Sequence, residues 1–266
     1  MKKLYRISII TPSFNQGQFI EQTIQSVLSQ EGDFELEYFV IDGGSSDNTL
    51  DIIEEYSHRD SRMHYVTEKD NGQADAINKG FRFATGEIVS WINSDDLYLP
   101  GAICKALDVF RSQNSISILY GKAHYIDESS KIIGDYKTKP FDKKRLPYDC
   151  FICQPTVFMR REVLNRVGLL NSKLQCSLDY EFWMRISRVY DFHFLNEYLA
   201  CSRMYPENKT LRLRGKVYTE NIQLAWKYYG ILPVIHWILL YIFEKYRLRK
   251  FQRKYASIRK WITSRI

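Results

Sequence analysis

Apolar and polar positions in the first half of the chain fall into blocks of two kinds. Short runs dense in β-branched and aromatic residues, Ile7 to Thr11, Leu36 to Ile41, Met63 to Thr67 and Ile88 to Ile92, read as buried strands. Between them apolar residues recur at helical spacing: Phe19, Ile20, Ile24, Val27 and Leu28 in a helix opened by Asn15-Gln16-Gly17 and running to about Gln30, then Leu50, Ile52, Ile53 and Tyr56, then Asp70 to Ala84. Alternation of this kind predicts an α/β fold with a largely parallel sheet between helices. Further on, Ala102 to Phe110 reads as a helix, Ile116 to Tyr120 and Thr156 to Met159 as strands, and Asp179 to Ile186 as a helix. Residues 121–147 look like hairpins and a basic loop (Lys137, Lys139, Lys143, Lys144, Arg145) that either faces an acceptor or is simply solvated.

No repeat or long linker interrupts this order, so one domain is expected over residues 1–210 and a helical extension over 211–266. Polar residues gather where strands must end. Asn93-Ser94-Asp95-Asp96 follows the Ile88 to Ile92 run, and adjacent carboxylates at a strand's C-terminal edge suit a hard divalent cation that also takes phosphate oxygens. Asp96 as an N-cap for a helix starting near Pro100 is the competing possibility. Thr11-Pro12-Ser13-Phe14-Asn15 offers backbone groups and a ring for a planar base, and Asp42 a carboxylate for a base N–H or, alternatively, a turn cap. Together the three ends describe a nucleotide diphosphate site. Neither G-x-x-x-x-G-K-[ST] nor G-x-G-x-x-G occurs, so phosphate charge must be met mainly by a metal.

Taken in order, Ile9-Ile10-Thr11-Pro12-Ser13-Phe14-Asn15, Val40-Ile41-Asp42-Gly43-Gly44-Ser45-Ser46-Asp47, Asp75-Ala76-Ile77-Asn78-Lys79-Gly80, Thr85-Gly86-Glu87, Asn93-Ser94-Asp95-Asp96 and Asp179-Tyr180-Glu181-Phe182-Trp183 make the chain resemble the inverting glycosyltransferases of family two, which have the GT-A (Rossmann-like) fold. The resemblance implies a hexosyltransferase-type enzyme with Mn²⁺ or Mg²⁺ as cofactor, a UDP-sugar as favoured donor, and a saccharide or lipid-linked saccharide acceptor in cell-surface polysaccharide or glycolipid biosynthesis. It further implies that Thr11, Pro12, Phe14, Asn15 and Asp42 hold the base, that Asp75 shapes the donor pocket, that Asp95 contacts ribose or metal, that Asp96 ligates the metal directly, and that Asp179 is the catalytic base. Other roles stay open: Asp75 could pair with Lys79 one helical turn on, Glu181 competes with Asp179, and Trp183 suits a sugar face or the core. Where relatives often carry Arg-x-His, this chain has Arg203-Met204-Tyr205, and Asn93 replaces an acid, which suggests a hydrogen-bonding neighbour rather than a ligand.

Composition adjusts this picture in two places. Five cysteines, an odd count, fit reduced thiols; Cys150-Phe-Ile-Cys153 lacks the second pair or His cluster of a metal site. Nothing at the start of the chain reads as a signal peptide, so a cytoplasmic location is expected. The net charge of +7 is concentrated at the far end, where Ile231 to Phe243 is strongly apolar yet short for a span and is followed by Lys245, Arg247, Arg249, Lys250, Arg253, Lys254, Arg259, Lys260 and Arg265 among Tyr246, Phe251, Tyr255 and Trp261. That combination predicts peripheral attachment to the cytosolic face of a membrane; packing on the domain or on a second copy in a homo-oligomer is the alternative, and nucleic acid is not expected. Two other functions would use the same rim: a nucleotidyltransferase, which should have a Gly-rich basic first loop that Pro12 to Phe19 lacks, and a non-catalytic nucleotide-sugar binder or scaffold.

Overall fold

The structure, a computed structural model, describes residues 4–263, with side chains described as far as Arg247. Four parallel strands make its first half: β1 (Tyr5–Ser13), β2 (Phe34–Asp42), β3 (Met63–Thr67) and β4 (Ile88–Trp91), joined by α1 (Ile20–Leu28), α2 (Thr49–Arg59) and α3 (Gln73–Phe83). They stand in the order β3-β2-β1-β4, so after β3 the chain crosses back and lays β4 on the other side of β1. Such a reversal opens a crevice beyond the strands' C-terminal ends, the usual ligand position in an open α/β sheet.

The second half comprises β5 (Leu97–Tyr98), α4 (Ala102–Ser112), β6 (Ile118–Ile126), β7 (Ile132–Asp135), β8 (Phe158–Arg160), α5 (Glu162–Val167), α6 (Leu178–Ile186), β9 (His193–Arg203), α7 (Lys209–Arg212), α8 (Arg214–Tyr229) and α9 (Ile231–Thr263). Its strands extend the sheet as β4-β8-β6-β9-β5, with β7 hairpinned on β6. Here β8 is antiparallel to β4 and β6, β9 parallel to β6, and β5 antiparallel to β9. Side chains alternate between two cores: Ile7, Ile9, Val40 and Ile88 pack with α1 and α4 residues on one face, Ile10, Ile41, Val89 and Trp91 with α3 and α6 residues on the other. Close approach of α3 to β1 is allowed by Gly80, where a Cβ would lie 2.5 Å from Ile10 Cγ2.

Several elements depart from the sequence expectation. β6 continues past Tyr120 to Ile126. β9 was not foreseen: His193-Phe-Leu-Asn-Glu-Tyr-Leu-Ala-Cys-Ser-Arg203 has exposed Asn196 and Glu197 at its middle, so no apolar run or regular alternation marks it. And α1 starts at Ile20, not at Asn15, because residues 15–17 give their backbone N–H groups to Ser45 Oγ, Thr49 Oγ1 and Asp47 Oδ2, bracing the β2–α2 loop with Asn15 left-handed at φ 52°.

At the far end, Leu224 and Ala225 of α8 and Val234 and Trp237 of α9 share a core with Tyr180 and Trp183 of α6. Trp237 Nε1–H donates to the Pro147 carbonyl at 3.0 Å. Among the described residues no helix is long and apolar enough to cross a membrane. The side chains of the basic and aromatic residues from Arg249 onward lie outside the described residues.

Candidate active site

Parallel pairing puts the ends of β1, β2, β3 and β4 on one rim, and the Asn93–Asp96 turn follows directly from β4. Asp96 is 4% exposed; Oδ1 accepts the Arg203 backbone N–H at 3.0 Å and Oδ2 accepts Asn93 Nδ2–H at 3.0 Å. Burial, with the charge of Asp95 beside it, pushes its pKa up to about 8. Asp95 is only partly buried, and Tyr205 Oη–H donates to its Oδ2 at 3.1 Å; burial raises this carboxyl too. The expectation that Asp96 meets a cation directly is thus not supported by its geometry: its oxygens are turned inward to protein donors, while Asp95 keeps an oxygen without a side-chain donor among the described residues. Asn93 is the hydrogen-bonding neighbour expected.

Tyr205 stands where a histidine was looked for and serves Asp95 instead. Among the described residues no group of three His, Cys, Asp or Glu could hold a metal ion. The donor set present is a carboxylate pair with one open member. That fits a hard cation which takes its remaining oxygens from a diphosphate and water, the usual arrangement for Mg²⁺ at phosphate sites.

Arg203, at the end of β9, fixes this turn in place. Fully buried, it donates from Nε to the Asp95 carbonyl (2.9 Å), from Nη1 to the Asp127 and Glu128 carbonyls (2.9 and 3.1 Å) and Ser130 Oγ (3.1 Å), and from Nη2 to Gln22 Oε1 (2.8 Å). Its guanidinium also lies 4.6 Å over the Phe19 ring, which in turn packs on Tyr205. Buried and with each of its three nitrogens bonded to protein, Arg203 is a clamp between α1, the β6–β7 hairpin and the acidic turn, not a phosphate ligand.

A second network crosses the crevice. Lys209 Nζ donates to Gln73 Oε1 at 2.9 Å, Gln73 Nε2 to Asn93 Oδ1 at 2.7 Å, and Asn93 Nδ2 to Asp96, so an ammonium on α7 is tied to the acidic turn. Burial lowers the Lys209 pKa while Cys176, Glu220 and Asp179 nearby oppose that. Asp179, on the first turn of α6, is therefore within electrostatic reach of the same ammonium, and burial raises its pKa. The buried Cys153 thiol, pushed well up, feels the charges of both Asp96 and Asp179.

The two base candidates differ in their partners. Glu181 is buried and accepts Arg185 Nε–H on both oxygens (2.9 and 3.0 Å) as well as Tyr228 Oη–H (2.5 Å). Asp179 accepts from the adjacent Tyr180 N–H. The loop ahead of it is held from α8: the Glu220 carboxylate accepts the N–H groups of Gln175 (3.0 Å), Cys176 (2.9 Å) and Ser177 (2.8 Å).

The residues expected around the base divide into inner and outer sets. Asp42 is fully buried with Gly44 N–H, Ser45 N–H, Ser45 Oγ–H and Thr67 Oγ1–H on its oxygens, so it caps the β2–α2 turn and has no open side for a base N–H. Thr11 Oγ1 faces inward, accepting from Tyr38 Oη–H at 3.0 Å, and Pro12 is buried beside it. Asn15 Oδ1 accepts Ser46 N–H, leaving Phe14, 58% exposed, as the open ring on the rim. Asp75 Oδ2 accepts the Asn71 N–H at 3.1 Å, while Lys79 lies 3.8 Å away and pairs more closely with Glu68. Trp183 is core, stacked 5.4 Å from Trp91. All five cysteines are free thiols. Sequence reasoning missed Gln73, Lys209 and Glu220 because none sits in a motif, although Arg185 four residues after Glu181 was a legible sign that Glu181 has a partner.

A mostly parallel sheet whose switch-point crevice is edged by an aspartate pair is the layout of a GT-A transferase. The chain belongs to glycosyl transferase family 2, whose family model matches residues 8–168. It is similar to the chondroitin synthase of Escherichia coli, 25% identical over 212 residues that cover 80% of this chain and 31% of that protein. Similarity to the hyaluronan synthase of Pasteurella multocida is 24% over 210 residues, 79% of this chain and 21% of that one. The chain thus spans about a third or less of the length of these two relatives. Among solved structures, Staphylococcus aureus TarS 1-349 in complex with UDP-GlcNAc superposes with a TM-score of 0.68 at 20% identity, covering 87% of this chain and 69% of that one. The Pyrobaculum calidifontis mannosyltransferase PcManGT, in complex with GDP-Man and Mn²⁺, gives 0.66 at 17% identity, covering 90% and 70%.

Proposed function

We propose that this chain transfers a sugar from a nucleotide diphosphate donor to a hydroxyl acceptor with inversion at the anomeric carbon. The observation that carries the reading is the hydrogen-bond chain from Lys209 through Gln73 and Asn93 to Asp96, which ties an ammonium to the acidic turn, with the charge of Asp179 acting on the same ammonium. Asp179 takes the proton of the acceptor hydroxyl as that oxygen bonds to C1 from the face opposite the leaving group; the C1–O bond breaks and its electron pair departs on the diphosphate. A divalent cation held at Asp95 supplies, when bound, charge neutralisation for that diphosphate. Lys209 adds a fixed positive charge, and the open ring of Phe14 offers a face for the base.

A uridine diphosphate sugar is the donor we favour, and a growing saccharide, free or lipid-linked, the acceptor; the names of the synthases and of the UDP-GlcNAc complex support both choices. The test is a donor panel of UDP-, GDP- and TDP-sugars, with and without Mn²⁺ or Mg²⁺, on the native chain, Asp95→Ala and Asp179→Asn. One donor should bind only with metal, Asp95→Ala should lose that binding, and Asp179→Asn should bind without turnover. Donor binding with no turnover in the native chain across saccharide acceptors would favour a non-catalytic binder, and no binding at all would remove the site assignment.

A further inference from the structure

α8 and α9 carry a surface that the crevice does not use. One side of α9 is packed inward through Val234, Trp237 and Glu244, each 8% exposed. Turned to solvent beside that buried side are Ile231, Ile235, Ile238 and Ile242, in steps of four, three and four down one stripe of the helix, with Leu239 (60% exposed) and Phe243 (63%) next to it. Trp226 of α8 is likewise open to solvent, 66% exposed. A continuous apolar strip of this length in water marks a docking surface. The strip occupies Ile231 to Phe243, about 20 Å of the helix at 1.5 Å per residue, and the basic segment follows on the same helix.

Charge identifies what covers it. From Lys245 to the end the sequence has nine Lys and Arg and no Asp or Glu, directly continuing the apolar stripe. A second copy docked there would bring a second set of nine cations to the same interface, whereas an anionic bilayer neutralises them and accepts apolar and aromatic side chains at the headgroup–acyl boundary. We infer that α9 lies in the plane of an anionic membrane surface, its isoleucine stripe in the boundary layer and the basic segment drawn to lipid phosphates. Glu220, on the partner helix α8, holds the loop before Asp179, so the docked helix pair would carry the crevice at a fixed height above the lipid.

The experiment is flotation of the full chain with vesicles of phosphatidylcholine alone or with about 30 mol% phosphatidylglycerol, using the native sequence and Leu239→Glu/Phe243→Glu. Native protein should partition at least about tenfold more strongly to the anionic vesicles, less so as salt is raised from about 0.1 to 0.5 M. The double variant should lose about tenfold or more of that partition, with thermal midpoint and nucleotide affinity unchanged. Vesicle binding is read without any turnover, so its failure is separate from failure of the transferase assignment. Absence of binding to both vesicle types, or a dimer in sedimentation that the double variant dissolves, would overturn the inference.

Discussion

Replacing Glu220 by alanine should cripple turnover while leaving the donor bound. The carboxylate is 4% exposed and accepts three backbone N–H groups at 2.8–3.0 Å, from the segment that ends two residues before Asp179. Hydrogen bonds to a charged acceptor are worth about 1.5–3 kcal/mol each, but Gln175 is exposed and Cys176 half-buried, so water replaces much of two of them. Ser177 is 3% exposed, and its N–H is left without a partner. The sum is a stability loss of about 2–4 kcal/mol, with the loop released. A displacement of about 1 Å at the base costs on the order of a hundredfold in rate. We therefore expect kcat to fall about 100-fold in Glu220→Ala and about 10-fold in Glu220→Gln, which retains one acceptor oxygen, with nucleotide affinity within about threefold of native. Urea unfolding, calorimetric nucleotide titration and steady-state turnover measure the three quantities. If Glu220→Ala folds and keeps its kcat within about threefold, α8 is scaffold only and the reasoning is refuted.

Two further outcomes follow from the electrostatics of the crevice. The folded protein holds a proton on Asp96 between its ordinary carboxylate range and about 8, where the unfolded chain does not; metal-free stability should therefore fall as pH rises through that window, by up to about 1.4 kcal/mol per pH unit, and melts in chelator should show the slope flattened in Asp96→Asn. Lys209→Ala should weaken UDP binding about tenfold or more in calorimetry while Lys209→Arg retains most of it; equal affinity in all three would show that the ammonium serves only to hold Gln73.

In the first half β1 and β4 were legible because they are buried on both sides of a parallel sheet and so read as apolar runs, while β2 and the edge strand β3, only partly buried, showed through their β-branched and aromatic residues. The rim was legible for the same reason: polar residues directly after such runs have nowhere to be except the edge. Which of those polar residues is open to a ligand was not legible. Asp42 and Asp95 look alike in sequence, but four donors from Gly44, Ser45 and Thr67 close one carboxylate, while among the described residues Tyr205 is the one side-chain donor to the other. That Glu181 is partnered by Tyr228, 47 positions away, was likewise not legible. β9 escaped because its middle, at Asn196 and Glu197, is exposed, and Lys209 because a cation at the start of a four-residue helix has no periodicity to betray it.

Arg203 also sets the order in which the protein can be made. Its partners are Gln22, the Asp95 turn and residues 127–130, at sequence separations from 73 to 181. On a ribosome delivering the chain from its first residue, β1 to β4 have all emerged long before this arginine, and the acidic turn waits without its clamp. Contacts of such span close late and slowly, since loop-closure entropy is spent before they form. A nascent chain halted between Trp91 and Arg203 would therefore own the strands of the nucleotide half and yet lack a set acidic turn, so competence for the donor arrives in one late step, with the insertion of β9 between β6 and β5.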